Sequence, residues 1–384
     1  METVRTDVTI VGGGIAGITS ALAMANMGYT IVLVEKESAL GGHAAQWACM
    51  ATDTCAKCSA CTIERDLEAV RNHPYIKIFT QVEIVNFTGS KGAFSLTLII
   101  HNDKKGQSFT GRTDTEVNQM VISSSEVLLT LGFKEFDATR KVMLSYKRIP
   151  EVITIKDVDD AMKKDRLCTI LPDPDGKGRF AFIMCVGSRD RMNGNDYCSQ
   201  FCGKTSVRLI NRLKYLKPEY VFDMYYIDLQ IMCKDFCSFY STMQETVTFY
   251  QGLPAEVLDG PEKGTVKLFA VNKKTGNFEE RIYDRVVLAI GMSPHEDSNR
   301  LSKLFGIPLN EFGYLKHSHD NGAYCTSREG IYLAGACAGP TDINGSRMQA
   351  LSAVHHIVSD LKEIASGEQP VEVSREESGA VCKR

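Results

Sequence analysis

The sequence predicts a doubly wound α/β protein built from two interleaved strand–helix–strand units. Three observations predict it. Near the N-terminus, "DVTIVGGGIAGITSALAMANMGYTIVLVEKE" reads as strand, glycine turn, helix and strand. At 179–190, "RFAFIMCVGSRD" opens a second such unit. Towards the C-terminus, "GIYLAGACAGPTDINGSRMQALSAVHHIVSDLKEI" (330–364) reads as strand, glycine turn and long helix, completing the first unit. A length of 384 residues suits about two domains. With 43% hydrophobic and 24% charged residues, the chain carries a sizeable core and lies outside the disordered regime.

The first strand is expected at Val8–Val11 and the helix from about Ala16 to Met27, with Gly28 in the position of a C-terminal glycine. A second strand, Thr30–Val34, ends at Glu35. Segments 75–89 and 94–101 alternate like a β-meander, 102–118 is polar and loop-like, and 124–133 is an apolar strand ending in Gly132. Pro150 marks the crossing into the second domain. There a helix is expected around 199–216 and a strand over 220–233. The apolar strand 284–292 is expected to return to the first domain. The resulting scheme is a discontinuous cofactor domain (1–150 and 270–366), an inserted domain (151–269) and a frayed polar tail (367–384).

Lys and Arg number 44 and Asp and Glu 47, a net charge of −3, so neither nucleic acid nor an anionic membrane is expected as a partner. No stretch reaches the ~18 apolar residues of a spanning helix, and the N-terminal residues do not have the organisation of a signal peptide. A cytoplasmic location is therefore expected. In a reducing compartment, clustered cysteines are more often metal ligands or redox-active groups than structural bridges. The odd count of 13 speaks against a fully paired disulfide framework.

Gly12, Gly14 and Gly17 form GxGxxG between a predicted strand and a predicted helix, followed by Glu35 at the end of the next strand. This is the context of a Rossmann-type dinucleotide site. Glycines let backbone N–H groups approach a pyrophosphate, and the start of the helix (Ile15, Ala16) supplies partial positive charge. Glu35 accepts from a ribose hydroxyl and repels a 2′-phosphate. The glycine pair Gly41–Gly42 in "GGHAAQ" favours FAD over NAD. So does Gly335, which ends a strand before a turn into a helix, so that the helix N-terminus would point at a flavin ring.

"VGGGIAG…VEKE…LGGHAAQ", "TLGFKEFDA", "CVGSRD…YCSQFC", "IGMSPHEDS…GIPLNEFGYLK" and "GIYLAGACAGPTDI" together resemble the A subunit of heterodisulfide reductase, over nearly the whole chain. The resemblance implies a thioredoxin-reductase-like flavoprotein fold with FAD and a [4Fe–4S] cluster. FAD contacts would come from Gly12, Gly14, Ile15, Ala16, Gly17, Glu35, Lys36, Gly41, Gly42, His43, Val82, Gly132, Gly291, Gly335, Ala336, Asp342 and Ile343. It further implies an electron-transfer role in a complex with B- and C-type subunits, a homodimer, and a lipoyl-bearing protein as carrier. No C-x2-C-x2-C-x3-C-P run is present. The chain is similar to the short form of sulfur-oxidising prokaryotes. The A subunit of the quinone-interacting oxidoreductase of sulfate reducers is the nearest competitor. Two departures stand out. Ala336 replaces an Asp that common FAD enzymes of this fold use to hold the ribityl chain, and His43 stands where family members often have Arg.

The second unit has "CVGSRD" where a nicotinamide-binding turn would read GxGxxG, so NAD(P)H binding is not expected there. Cys185 ends its first strand, and Cys198 and Cys202 lie four apart, on one face if helical. The resemblance assigns these three as cluster ligands. The family's fourth ligand falls on Gly203, so Cys233 is the expected substitute and Cys237 the reserve. The second candidate set is Cys49, Cys55, Cys58 and Cys61, whose C-x2-C-x2-C spacing suits a cluster, a zinc ion or a redox dithiol.

No side chain is assigned to catalysis, though Cys337 is a candidate flavin neighbour. His317 and His319 read as a solvated loop, and His355 and His356 as helix surface. Two alternative functions remain at this level: a stand-alone NAD(P)H-dependent disulfide reductase, and a zinc-binding scaffold.

Overall fold

The computed structural model describes residues 2–101, 118–173, 176–230, 241, 243–271, 275–318 and 324–366. Cys233, Cys237, His319, segment 102–117 and the tail 367–384 lie outside the described residues.

The first sheet is mostly parallel. Strand β1 (Glu2–Val11) lies between β2 (Ile31–Val34) and β6 (Asn118–Leu129), parallel to both, and β3 (Ile76–Phe79) extends the sheet beyond β2. β4 (Val82–Thr88) and β5 (Phe94–Ile100) complete an antiparallel meander with β6. The meander thus comprises β4–β6, and β3 is a parallel strand outside it. All four residues of β2 are buried, as a sheet covered on both faces requires. Helix α1 (Ile15–Ala25) packs on one face beside the C-terminal helix Ile343–Ser366, and Ala21, Ala25, Ala350, Ala353 and Ile357 share one buried cluster. Small residues let these two helices approach closely. Two further helices, α2 (Gly42–Gln46) and α3 (Thr62–Asn72), come between β2 and β3 in the chain, with the cysteine-rich loop between them. The opposite face is covered by the helix Ser298–Phe305, whose Phe305 meets Phe87 with ring centroids 4.5 Å apart. The last strand, Ile331–Leu333, is parallel to β6.

Between these pieces of the first domain runs β7 (Phe133–Glu135). The second sheet follows. It holds β8 (Val152–Thr154), β9 (Arg179–Val186), β10 (Val221–Tyr226) and β11 (Val247–Gln251), flanked by α4 (Ile155–Lys163) and α5 (Cys202–Leu216). A small antiparallel sheet of β12 (Glu256–Asp259), β13 (Val266–Val271) and β14 (Phe278–Tyr283) packs against it. Strand β15 (Arg285–Ile290), whose sequence points to the first domain, instead pairs with β8 and β9. The second sheet therefore extends through Ile290, and the chain returns only with β16 (Met292–Pro294), which pairs with β7. β10 also stops at Tyr226, well short of the expected 233.

One buried carboxyl group marks the first sheet. Glu126 on β6 is 0% exposed, and neither carboxylate oxygen has a hydrogen-bond partner among the described residues. Burial, reinforced by repulsion from Asp360 and offset by Lys91, pushes its carboxyl up to about 8. Between the ordinary value of 4.5 and about 8 the unfolded chain is ionised while the folded chain stays protonated. The contribution of Glu126 is therefore most favourable below that window, erodes as pH rises through it and is fully lost above it. Denaturant unfolding should show Glu126→Gln stabilising the fold by roughly 2–4 kcal/mol at about pH 8.5, with little effect at about pH 4.5. A difference that does not change with pH would refute this account.

Candidate functional site

The carboxyl ends of β1, β2, β6 and the last strand converge on one crevice, where open α/β sheets place ligands. It holds a cavity of about 400 Å³, in the size class of cofactor pockets. The first wall is the glycine turn. Gly12 has φ +109°, and a Cβ there would lie 2.4 Å from the Thr130 carbonyl oxygen; one at Gly17 would lie 2.0 Å from the Gly12 carbonyl oxygen. Gly14 differs. It lines the cavity and has nothing within 4 Å of its missing Cβ. Two glycines thus close the turn and the third leaves it open to a ligand.

Glu35 lines the cavity with its carboxylate held in place: it accepts the N–H of Gly13 at 2.6 Å and of Glu37 at 2.9 Å. Lys36 is also at the wall, and its ammonium is bound by Glu296 at 3.1 Å and Asp297 at 2.9 Å. Of the other expected residues, Ile15, Ala16, Gly42, His43, Val82, Gly132, Gly335, Ala336, Asp342 and Ile343 line the cavity. Gly17, Gly41 and Gly291 do not, and serve close packing behind it. A Cβ on Gly41 would meet Ala45, and one on Gly291 would meet Ser199 and Ser188.

Cys337 requires correction. It is 0% exposed, its thiol donates to the Leu129 and Ala334 carbonyls at 3.3 Å each, and burial pushes it up to about 12. The neighbouring Ala336 faces the cavity, whereas Cys337 is a packed core thiol.

The opposite wall comes from the second domain and from the cysteine-rich loop, and sequence patterns did not reveal it. Trp47, Cys58, Phe201, Lys204 and Arg208 line the cavity there, and His295, just after β16, lines it from the first domain. Phe201 meets Trp47 edge-on at 6.0 Å and lies 6.1 Å from Phe133, which in turn stacks on His43 at 4.2 Å. The lone tryptophan beside a glycine pair was the one available signal. Lys204 pairs with Asp342 at 2.8 Å. Burial alone would raise the Asp342 carboxyl, but hydrogen bonds from Lys204 and the Gly345 N–H hold it below its ordinary value.

Immediately behind Phe201 lies a second, small cavity of about 20 Å³ lined by Cys185, Cys198, Cys202, Arg189 and Asp228–Gln230. Three of the four expected cluster ligands are therefore brought together; Cys233 lies outside the described residues. α5 begins only at Cys202, so Cys198 sits in the preceding turn and not on a helix face. Left-handed backbone at Cys185 (φ +59°), Arg189 (+55°) and Gln200 (+59°) wraps the chain round the pocket. Burial, with Cys198 adding to it, pushes the Cys185 thiol up to about 11, and burial with Cys185 and Cys198 pushes Cys202 up to about 12. Arg189 binds Asp228 through both oxygens, at 2.6 and 3.1 Å. Among the described residues no group of three or more His, Cys, Asp or Glu side chains could hold a metal ion as it stands.

The second cysteine set is spread out. Cys49, Cys55 and Cys61 are exposed, while half-buried Cys58 reaches the large cavity. The loop is held from outside. Arg208 donates to the Ala56 carbonyl at 3.0 Å, Arg212 to the Ala51 carbonyl at 2.8 Å, and Ser59 to Asn344 at 2.6 Å.

Known proteins agree with this architecture. A family model described as FAD dependent oxidoreductase matches residues 7–74. Thioredoxin reductase from T. acidophilum superposes with a TM-score of 0.57 at 16% identity, covering 93% of this chain and 98% of that one. Bacillithiol disulfide reductase from Bacillus cereus gives 0.53 at 14%, covering 95% and 100%. The fold is thioredoxin-reductase-like, and its N-terminal glycine turn lies in the segment similar to FAD dependent oxidoreductases. More particularly, the chain is similar to the iron-sulfur A subunits of CoB–CoM heterodisulfide reductase. The second such A subunit of Methanopyrus kandleri is 28% identical, covering 97% of this chain and 67% of the relative. Its counterpart in Methanocaldococcus jannaschii is also 28% identical, covering 90% and 62%. The chain thus spans about two thirds of the length of these relatives.

The glycine geometry separates fold from ligand. Gly12→Ala should cost roughly 3 kcal/mol or more, because both the backbone conformation and the Thr130 carbonyl oppose it. Gly14→Ala should stay within about 1 kcal/mol of the parent. Equal losses for the two in thermal unfolding would contradict the assignment.

Proposed function

We propose that this chain is the FAD- and [4Fe–4S]-carrying electron-transfer subunit of a heterodisulfide-reductase-like complex. The observation that carries the reading is the first turn of α5, which stands between the two cavities. Phe201, Lys204 and Arg208 face the larger, and Cys202 and Gly203 face the smaller.

The larger cavity fits FAD. Gly14 leaves space for a pyrophosphate, the N-termini of α1 and of the C-terminal helix face inward, and Glu35 stands ready for a ribose. Bound there, FAD supplies two-electron and one-electron redox chemistry; the chain's part is to hold, orient and electrostatically tune it. Around the smaller cavity the donor set fits a cluster: Cys185, Cys198 and Cys202 are soft ligands from one pocket, and Cys233 is the proposed fourth. The pocket, of about 20 Å³, is bounded on its other side by Asp228–Gln230. We assign no further step to the cluster.

By the same reading the protein works with B- and C-type partners, as a homodimer in the cytoplasm, on sulfur compounds delivered by a lipoyl-bearing protein, in the oxidation of reduced sulfur. Among the described residues no helix is long and apolar enough to cross a membrane. One observation favours a second reading, thiol–disulfide chemistry at the cofactor: Cys58 stands in the wall of the large cavity with Cys61 three residues on.

Anaerobic purification with FAD, iron, sulfide and zinc quantified per chain tests both. About four irons and one FAD are expected. Cys202→Ala should lose the iron and keep the flavin, and Cys58→Ala should keep both. Iron that survives Cys202→Ala but not Cys58→Ala moves the cluster to the loop. Flavin bleaching by NADH alone would favour the disulfide reductase, and zinc without iron the scaffold.

A further inference from the structure

Arg189 and Asp228 form an ion pair in the wall of the small cysteine cavity. Both line it together with Cys185, Cys198 and Cys202. The guanidinium grips the carboxylate as a fork, Nη1 to Oδ1 at 2.6 Å and Nη2 to Oδ2 at 3.1 Å. Arg189 lies just past the end of β9 and Asp228 just past the end of β10, so the pair ties two turns that leave neighbouring strands.

The backbone holds Arg189 in place. Its φ is +55°, which costs a residue other than glycine on the order of 1 kcal/mol. The turn enforces that conformation from both sides. The Arg189 N–H donates to the Tyr197 carbonyl at 2.8 Å, and Asp190 and Asn195 exchange backbone bonds at 2.9 and 3.1 Å. Glycine would take this conformation freely, yet a long cationic side chain stands there.

The sulfurs of this cavity face donors and positive charge. The Gln200 N–H donates to Cys198 Sγ at 3.3 Å. The N–H groups of Cys185 and Gly203 face Cys202. The charge of Arg189 acts on both Cys185 and Cys198, and it acts on Cys185 more strongly than that of Asp228 does. Arg189 is also the more sheltered partner, its side chain 26% exposed against 48% for Asp228. Water screens the carboxylate more than the guanidinium, so the pair presents net positive charge to the sulfurs. The potential of an iron–sulfur centre is set by net charge, by hydrogen bonds to sulfur and by exposure.

We propose that Arg189, held by Asp228, raises the reduction potential of the centre bound by these cysteines, by favouring its more negative, reduced state. This rests on the reading that Cys185, Cys198 and Cys202 ligate a cluster. The exchange concerned is one electron taken from a reduced donor, with no bond broken and no proton moved. Arg189 acts through the cysteine sulfurs and Asp228 through Arg189, so both are positioning residues.

The test is a potentiometric titration of the full chain, purified anaerobically, with dithionite as reductant, mediator dyes and the reduced cluster followed by EPR. In Arg189→Gln, at the parent's midpoint potential, the ratio of reduced to oxidised cluster should fall about tenfold. Asp228→Asn removes the opposing charge and should raise the same ratio about threefold. Arg189→Lys keeps the charge and should lie between Arg189→Gln and the parent. A pair that only braced the two turns would move the potential in one direction whichever partner were removed. Shifts of the same sign in Arg189→Gln and Asp228→Asn, or ratios within about twofold of the parent in both, therefore overturn the proposal. If Arg189→Gln sheds its iron, Asp228→Asn decides: a raised ratio supports the proposal, and a lowered or unchanged one overturns it. A parent chain without iron overturns the functional reading and the proposal with it. A parent that holds iron while its variants keep the parent's potential overturns the proposal alone.

Discussion

The ion pair between Lys204 and Asp342 is the constraint on which the site depends. It joins α5 of the second domain to the residue that opens the C-terminal helix of the first, across 138 positions of sequence, at 2.8 Å. Both side chains are largely buried, 16% and 24% exposed. Removing either partner would leave an uncompensated charge away from water, which is far costlier than losing a surface pair. The pair therefore fixes where the first turn of α5 stands. That turn is shared: Phe201 and Lys204 belong to the large cavity and Cys202 to the small one. Arg208 and Arg212 on the same helix donate to carbonyls of the cysteine-rich loop. The loop's conformation is thus set by a helix some 150 residues away and not by its own sequence.

This explains what could be read from the chain alone. The first strand–helix–strand unit was legible because its signals are local. Gly12, Gly14 and Gly17 each answer to a contact or a space within the turn, and Glu35 closes the adjacent strand in register. The C-terminal strand, turn and helix were legible for the same reason. The placement of β15 was not. All but its first residue are buried, and a strand buried on both faces carries no mark of which sheet it joins. Spacing of four fits Cys198 to a helix face, but the left-handed Gln200 breaks the chain's path before α5 begins. Cys337 and Ala336 adjoin in sequence and point to opposite sides, a distinction that composition does not encode.

The charge pattern of the large cavity gives it a direction. At the β2 end stand Glu35, Glu37, Glu83 and Asp297, and the cations among them are already bound: Lys36 by Glu296 and Asp297, Arg300 by Glu83 and Asp297. At the other end stand the start of the C-terminal helix, Lys204 and Arg208. A dinucleotide laid with its ribose at Glu35, as proposed, brings its redox-active ring towards helix N–H groups and guanidinium, where added negative charge is favoured. The same layout disfavours a 2′-phosphate at the acidic end. Asp342 does not cancel this field, because its charge is spent on Lys204 and the Gly345 N–H. The ion pair that aligns the two domains therefore also keeps a carboxylate at the helix N-terminus from opposing the electron-rich ring. Mechanical alignment and electrostatic bias at this site rest on one contact.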